Sequence, residues 1–208
     1  GLEVLLRWRH PVAGEIPPDA FINFAESQKM IVPLTQHLFE LIARDAAELE
    51  KVLPVGVKFG INIAPDHLHS ESFKADIQKL LTSLPAHHFQ IVLEITERDM
   101  LKEQEATQLF AWLHSVGVEI AIDDFGTGHS ALIYLERFTL DYLKIDRGFI
   151  NAIGTETITS PVLNNFFNST GRFSTACFPG LYTHTEACPL SSKIADNGII
   201  TSASMLGL

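Results

Sequence analysis

The segment that decides the fold is Glu119–Gly128, which reads EIAIDDFGTG. It starts as a short apolar run, continues into two adjacent carboxylates, Asp123 and Asp124, and ends in glycine. Apolar strands of this kind are typical of parallel sheets whose two faces are both covered. Two carboxylates at the end of such a strand are costly to bury unless a cation or hydrogen bonds compensate them. A solvated turn is the simpler alternative, because Asp and Gly are common turn residues.

The composition indicates a globular chain with an acidic surface. The 208 residues are 46% hydrophobic and 19% charged, and 15 basic residues against 25 acidic ones leave a net charge of -10. This balance argues against general binding of a nucleic-acid polymer, which requires Lys and Arg at the phosphates. No apolar run is long enough to span a bilayer, and Cys177 and Cys188 indicate neither a disulfide scaffold nor a zinc site. We therefore expect a cytoplasmic domain with no membrane segment in this chain.

Strands and helices are predicted to alternate along the chain. Strands are predicted at Gly1–Trp8, Val57–Ile63, Phe89–Glu94, Glu119–Asp123 and Leu140–Asp146. Helical periodicity lies between them, including a helix predicted over 130–138, and Pro11–Pro18 is expected to be a loop. The pattern predicts a parallel sheet, either an open doubly wound sheet or a barrel. We favour the barrel, because side chains from the carboxyl ends of many strands then converge on one mouth.

Polar residues occur at or near the ends of these strands. They are Glu3, Asn62, Glu94, Asp123, Asp124 and Lys144. Carboxylate and amide oxygens are the ligands of Mg²⁺ or Mn²⁺, whereas zinc prefers nitrogen and sulfur. Two such ions can clamp a phosphodiester and lower the pKa of a bound water, and a Lys ammonium can orient that water. Taken singly, each residue has an ordinary alternative, such as a frayed end for Glu3, a core amide for Asn62 and a snorkelling side chain for Lys144.

Five motifs follow one another in a fixed order over roughly residues 1–160. They are EVLLRW at 3–8, NIAP at 62–65, LEITE at 93–97, DDFGTG at 123–128 and LKID at 143–146. Together they resemble the EAL-domain family of bacterial cyclic di-GMP phosphodiesterases. The resemblance implies an α/β fold, a modified (β/α)8 TIM-like barrel, and hydrolysis of cyclic di-GMP to linear pGpG. It also implies that the intact family domain forms a homodimer.

The resemblance further implies a site with two Mg²⁺ or Mn²⁺ ions. By the family pattern, Glu3, Asn62 and Glu94 would hold one ion. Asp123 would bridge to the second ion, and Asp124 would bind that second ion.

Three further residues acquire roles from the same motifs. Lys144 would contact the nucleophilic water, and Arg7 would meet a substrate phosphate. Glu97 would brace the loop 124–130, which in the family couples substrate binding and dimerisation to metal occupancy.

The chain also departs from the family pattern. Val4 stands where the family usually has Ala, a swap that a strand tolerates because Val4 and Glu3 point to opposite faces. The segment 161–208 carries only four formal charges and matches neither the glutamate motif that completes the second metal site nor the last family strand. We therefore predict a partial barrel over 1–160, incomplete at both ends, with an incomplete second metal site and an atypical segment at 161–208. The parent protein could be anchored in the inner membrane through other segments.

Several functional interpretations stay open at this point. The leading one is the phosphodiesterase, with the activity of this chain by itself in doubt. A catalytically inactive module that binds cyclic di-GMP or another protein is the main alternative. An unstable translation product and an unrelated divalent-metal barrel enzyme are the remaining ones.

Overall fold

The computed structural model of the chain describes residues 1–96, 103–125 and 138–145. Its strands are β1 (Leu2–Val4), β2 (Trp8–His10), β3 (Gly14–Ile16), β4 (Val57–Asn62), β5 (Phe89–Thr96), β6 (Glu119–Phe125) and β7 (Tyr142–Ile145). Its helices are α1 (Pro18–Ser27), α2 (Ile31–Leu49), α3 (Pro65–Leu68), α4 (Phe73–Ser83) and α5 (Glu103–Ser115). Glu97, the helix predicted over 130–138 and the segment 161–208 lie outside the described residues.

Five of the strands form one parallel sheet, as the alternation of strands and helices predicts. The order is β1-β4-β5-β6-β7, so neighbours in the sheet follow one another along the chain once the β2-β3 hairpin is set aside. The register places Asn62 opposite Glu94 and Glu94 opposite Ala121. None of the helices in the described ranges is both long and apolar enough to cross a bilayer.

The two faces of the sheet differ in character. One face packs on the helices through fully buried side chains such as Phe59, Ile61, Leu93 and Ile120, which share a core with α2, α4 and α5. The residues between them point to the opposite face, because side chains alternate along a strand. On β4 this second face carries Lys58, Gly60 and Asn62. The strands therefore alternate between apolar and polar positions more than the sequence interpretation assumed.

The sheet is strongly curved toward its polar face. Glu3 on β1 and Lys144 on β7 belong to the two outer strands, four strand spacings apart. In a flat sheet, spacings of about 4.8 Å would hold these backbones roughly 19 Å apart. Lys144 Nζ nevertheless lies 3.8 Å from Glu3 Oε1. The curvature of a barrel wall accounts for this contact, since it points both side chains into the same interior.

One part of the predicted secondary structure is wrong. The first strand ends at Val4, and the predicted loop contains β3, which pairs antiparallel with β2. The turn between β2 and β3 is fastened by His10, whose Nδ1 accepts hydrogen bonds from the amides of Val12 (3.2 Å) and Ala13 (3.1 Å). Gly14 follows with a φ of 76°, which glycine adopts readily.

Candidate active site

Acidic side chains from three strands converge on one ammonium group at the carboxyl end of the sheet. Lys144 Nζ donates hydrogen bonds to Glu94 Oε2 and Asp123 Oδ2, both at 2.7 Å. The Nδ2 of Asn62 donates to Glu3 Oε1 at 3.3 Å. We call Glu3, Asn62, Glu94, Asp123 and Lys144 the carboxyl-end cluster. The tertiary structure thus brings together five of the eight residues that the sequence singles out.

Glu94 is the deepest member of this cluster. Only 2% of its surface is exposed. The sequence predicts that Glu94 ends its strand, whereas β5 continues for two residues beyond it. Its carboxylate lies over β4 at Gly60, where an added Cβ would collide with Glu94 Oε1. Gly60 is therefore a position that makes room for the Glu94 carboxylate, and the sequence interpretation missed it. A glycine inside a strand, two residues before Asn62, is a signal of close approach that could have revealed it.

The charges of the cluster shift one another's protonation. Burial raises the pKa of the Glu94 carboxyl, and the nearby Glu3 and Asp123 add to the rise, while Lys144 opposes it. Burial alone would lower the pKa of Lys144, but its hydrogen bonds to Asp123 and Glu94 raise it above its ordinary value. A raised pKa for Glu94 and a raised pKa for Lys144 are compatible, because one ammonium is shared among several carboxylates. The arrangement keeps Lys144 charged and leaves the carboxylates with excess negative charge.

A β-bulge shapes the end of β6 at the paired aspartates. Ile122 pairs with Leu143 and Phe125 pairs with Ile145, so β6 has one residue more than β7 over this stretch. Asp124 has a φ of 53°, and its amide donates to Asp123 Oδ1 at 2.8 Å. In a regular strand, adjacent side chains point to opposite faces. The bulge releases Asp123 and Asp124 from that rule, and bulges next to active sites commonly re-aim side chains in this way.

A cleft of about 360 Å³ opens beside the cluster. Asn62 and Glu94 form its polar edge, and apolar residues of α1 and α2 form much of the rest. Arg7 also lines it, and its Nη1 donates to the carbonyl of Leu6 at 3.1 Å. Arg7 therefore lines the same cleft as Asn62 and Glu94.

A second polar cluster lies on the same face at the amino end of the sheet. Lys58 Nζ bonds to Glu119 Oε2 at 2.9 Å and to the hydroxyl of Tyr142, which donates in turn to Glu119 Oε2 at 2.8 Å. We call Lys58, Glu119 and Tyr142 the amino-end cluster. The small or apolar residues Gly60 and Ala121 separate it from the carboxyl-end cluster along β4 and β6.

The carboxyl-end cluster suits a divalent metal in its chemistry but is closed around Lys144. Within residues 1–96, 103–125 and 138–145, no group of three or more His, Cys, Asp or Glu side chains is arranged to hold a metal ion. The oxygens of Glu3, Asn62, Glu94 and Asp123 are nevertheless of the type that hard cations bind. Two of the three carboxylates bond to the Lys144 ammonium, so a metal ion would have to replace it.

These features define a class of protein. A curved parallel sheet with oxygen ligands and a lysine at the carboxyl ends of its strands is an α/β barrel wall with its site at the mouth. The family model of the EAL domain matches residues 1–171. The chain belongs to the EAL domain family, whose solved members show the same fold.

Known proteins of this family resemble the chain closely. It is 99% identical over 164 residues to the probable cyclic di-GMP phosphodiesterase PdeN of Escherichia coli (strain K12), an alignment covering 79% of this chain and 32% of PdeN. It is 36% identical over 166 residues to the cyclic di-GMP phosphodiesterase PdeL of the same organism, covering 79% of this chain and 46% of PdeL. The matched part of the chain thus spans 32% and 46% of the lengths of these two relatives.

A solved structure supports the fold. The phosphodiesterase PaMucR, in complex with c-di-GMP, superposes with a TM-score of 0.65 at 32% sequence identity. The superposition covers 78% of this chain and 66% of PaMucR. The predicted α/β fold of EAL type is confirmed.

Proposed function

We propose that the chain is the catalytic part of a metal-dependent phosphodiesterase that hydrolyses cyclic di-GMP to linear pGpG. The observation that carries the proposal is the convergence of Glu3, Glu94, Asp123 and Lys144 beside the cleft that Arg7 lines. The relatives PdeN and PdeL carry cyclic di-GMP phosphodiesterase in their names, and PaMucR was solved with c-di-GMP bound. A cytoplasmic location and a homodimer are further parts of the proposal.

The proposed roles follow the positions of the side chains. Glu3, Asn62, Glu94 and Asp123 would hold one Mg²⁺ or Mn²⁺ ion, and Asp123 with Asp124 would serve a second. Bound metal would supply Lewis-acid activation of a water for attack on the phosphodiester.

The chain's own cations complement this chemistry. An ammonium and a divalent ion cannot share the same carboxylate oxygens at short distances, so Lys144 would release Glu94 and Asp123 on metal binding. Its freed ammonium would then orient the attacking water or neutralise charge that develops on the phosphoryl oxygens. Arg7, at the rim of the cleft, would bind a substrate phosphate through its planar guanidinium. Glu97 would brace the loop after Asp124.

Product analysis tests the proposal directly. The purified chain is incubated with cyclic di-GMP and Mg²⁺ or Mn²⁺, and the linear pGpG that forms is separated and quantified. We expect turnover that falls about 100-fold or more in Asp123→Ala, because a proposed ligand of both metal ions is removed. Asp45→Ala on α2, a partly buried acid remote from the cluster, is the matched control and should retain activity. Equal turnover in the two variants would refute the proposed site.

A binding module without turnover is the second candidate, and the closure of the carboxylates around Lys144 favours it. A calorimetric melt with cyclic di-GMP separates the candidates. Ligand at a hundred times its dissociation constant stabilises a folded binder by about 2.7 kcal/mol. A rise of the melting temperature without pGpG would support the binding module. An unchanged melting temperature and no pGpG would exclude both functions for this chain.

A further inference from the structure

A buried histidine joins three helices behind the wall of the cleft. His67 on α3 is fully buried, and its Nε2 lies 3.0 Å from Asp76 Oδ2 on α4. The same Asp76 oxygen accepts a hydrogen bond of 2.9 Å from Gln36 Nε2 on α2. The imidazole also packs between the rings of Phe39 on α2 (5.8 Å between centroids) and Phe73 on α4 (5.4 Å). One side chain therefore contacts both neighbouring helices.

This network stands directly behind two walls of the cleft. Ile63, Ala64 and Pro65, which lead into α3, line the cleft on one side. Leu34, Thr35 and Leu38 of α2 line it as well. His67 follows the first wall by two residues. On α2, Phe39 packs on its ring and Gln36 bonds to its partner Asp76, and both lie next to residues of the second wall. Its contacts therefore link α3, which follows the first wall, to α2, which carries the second.

The helix α3 has little support of its own. It has four residues and no hydrogen bond from an N-cap side chain, and a single helical turn is unstable in isolation. Side chains of His69 and Ser70 bond to its carbonyls, at Pro65 (2.6 Å) and at His67 (2.8 Å). The amides of His67 and Leu68 bond to the carbonyl of Ala64, at 3.0 and 3.1 Å. The preceding residue Ile63 is anchored differently, because its amide bonds to the carbonyl of Glu94 in the sheet at 3.0 Å. Asn62 and Ile63 are thus fixed by the sheet, whereas α3 is attached to the neighbouring helices and core through two buried side chains, His67 and Leu68.

The polar contacts of Asp76 and His67 affect the stability of this network. Burial would raise the pKa of Asp76, but hydrogen bonds from Gln36, His67 and Ser72 lower it below its ordinary value. Among the described residues, His67 Nδ1 is buried without a hydrogen-bond partner. An unpaired buried polar atom is unfavourable, and an apolar residue would avoid that penalty. Retaining a histidine here is consistent with a need for directional bonding to Asp76.

We propose that His67 is a positioning residue, which holds α3 and the cleft wall Ala64–Pro65 against α2 through its bond to Asp76. The expected effect on substrate binding rests on the proposed function, because cyclic di-GMP is the substrate. The expected effect on the position of α3 does not depend on that function. Two parts of the site are thus held by different contacts. His67 positions the cleft wall, and the sheet positions the carboxyl-end cluster. The loss of His67 should weaken substrate binding and leave the chemistry of the cluster largely intact.

The test compares three histidine variants of the full chain. His67→Leu keeps apolar volume and removes the bond to Asp76, whereas His67→Gln keeps an N–H group that can reach Asp76. His37→Leu, on the exposed side of α2, is the matched control. In His67→Leu we expect amide hydrogen exchange at 67–69 to become about tenfold faster, the order of effect of a lost hydrogen bond, while Ile63 and β6 stay unchanged. His67→Gln and His37→Leu should resemble the original chain.

Kinetics complete the test. In His67→Leu, we expect KM for cyclic di-GMP to rise about three- to tenfold, the range one lost interaction accounts for, with kcat within about twofold. Should His67→Leu fail to fold, Asp76→Ala removes the same bond from α4 and must give the same exchange pattern in α3. Unchanged exchange at 67–69, an equal rise throughout the sheet, or an unchanged KM would overturn the proposal. If the original chain neither binds nor hydrolyses cyclic di-GMP, the proposed function fails, and the exchange pattern still decides the role of His67.

Discussion

The two polar clusters of the sheet use similar residues for different purposes. Each has a lysine bonded to carboxylates on the same concave face, one at the carboxyl end and one at the amino end. In the amino-end cluster, Lys58 faces the single carboxylate of Glu119 and the hydroxyl of Tyr142. In the carboxyl-end cluster, Lys144 faces Glu3, Glu94 and Asp123, so that ionisation of all three leaves two negative charges in excess.

This difference distinguishes a structural ion pair from a candidate site. Buried charges are stable only when they are paired, and the amino-end cluster achieves this pairing by itself. The carboxyl-end cluster is not balanced in this way, because its one ammonium lies among three carboxylates. Its position at the carboxyl ends of the strands, beside the cleft, agrees with that interpretation.

The largest predicted difference concerns turnover. Lys144→Met should reduce kcat for cyclic di-GMP by about 100-fold or more, because it removes the cation that we propose stabilises the transition state. Lys58→Met should change kcat by less than about threefold, because the amino-end cluster lies away from the cleft. The measurement is pGpG formation at saturating substrate. A similar loss in both variants would mean that the clusters do not differ in function.

The second prediction concerns stability and metal. Without metal, Lys144→Met should lower the free energy of unfolding by about 3–5 kcal/mol, since it leaves buried Glu94 without its partner. Added Mn²⁺ should stabilise this variant more than it stabilises the original chain, because no ammonium competes for the carboxylates. Denaturant melts with and without Mn²⁺ measure both effects. Lys58→Met is the control, and a metal-dependent gain there equal to that in Lys144→Met would contradict the comparison.

A third prediction uses Gly60, which lies between the clusters on β4. Gly60→Ala should cost about 1–3 kcal/mol by overpacking, because the new Cβ meets Glu94 Oε1 and displaces the carboxylate. The cost should vanish in a Glu94→Ala background, where nothing opposes the Cβ. A double-mutant cycle of denaturant melts measures this coupling. If Gly60→Ala lowers the free energy of unfolding equally with and without Glu94, then Glu94 is not the group that the new Cβ displaces.

The smallest predicted effect is a dependence on alkaline pH. Hydrogen bonds to carboxylates raise the pKa of Lys144, against the lowering effect of burial, above the ordinary 10.5. A raised pKa stabilises the folded chain at every pH below 10.5, and this contribution is lost as the pH rises through the higher folded value. The stability difference between the original chain and Lys144→Met should therefore shrink as the pH rises above 10.5. A difference that does not shrink above pH 10.5 would assign the stability to another group.

Much of the fold and site could be predicted from local sequence. The apolar runs and their helical neighbours predict the five parallel strands, and Asn62, Asp123 and Lys144 mark the carboxyl end of the sheet. The β2-β3 hairpin could not be predicted, because it depends on how the His10 side chain fastens a turn. Gly60 and His67 were missed for a related reason, since their importance lies in what approaches them from other elements.

The sequence by itself determined which residues are available at the strand ends, because strand periodicity sets the face and position of each side chain. It also determined the family, through five motifs in order. Only the tertiary structure decided that the sheet curves enough to bring Glu3 of the first strand to Lys144 of the last. It likewise decided that Lys58 pairs with Glu119 while Lys144 is shared among three carboxylates. Charge balance depends on distances across strands, and these are set by the packing of helices on the outer face of the sheet.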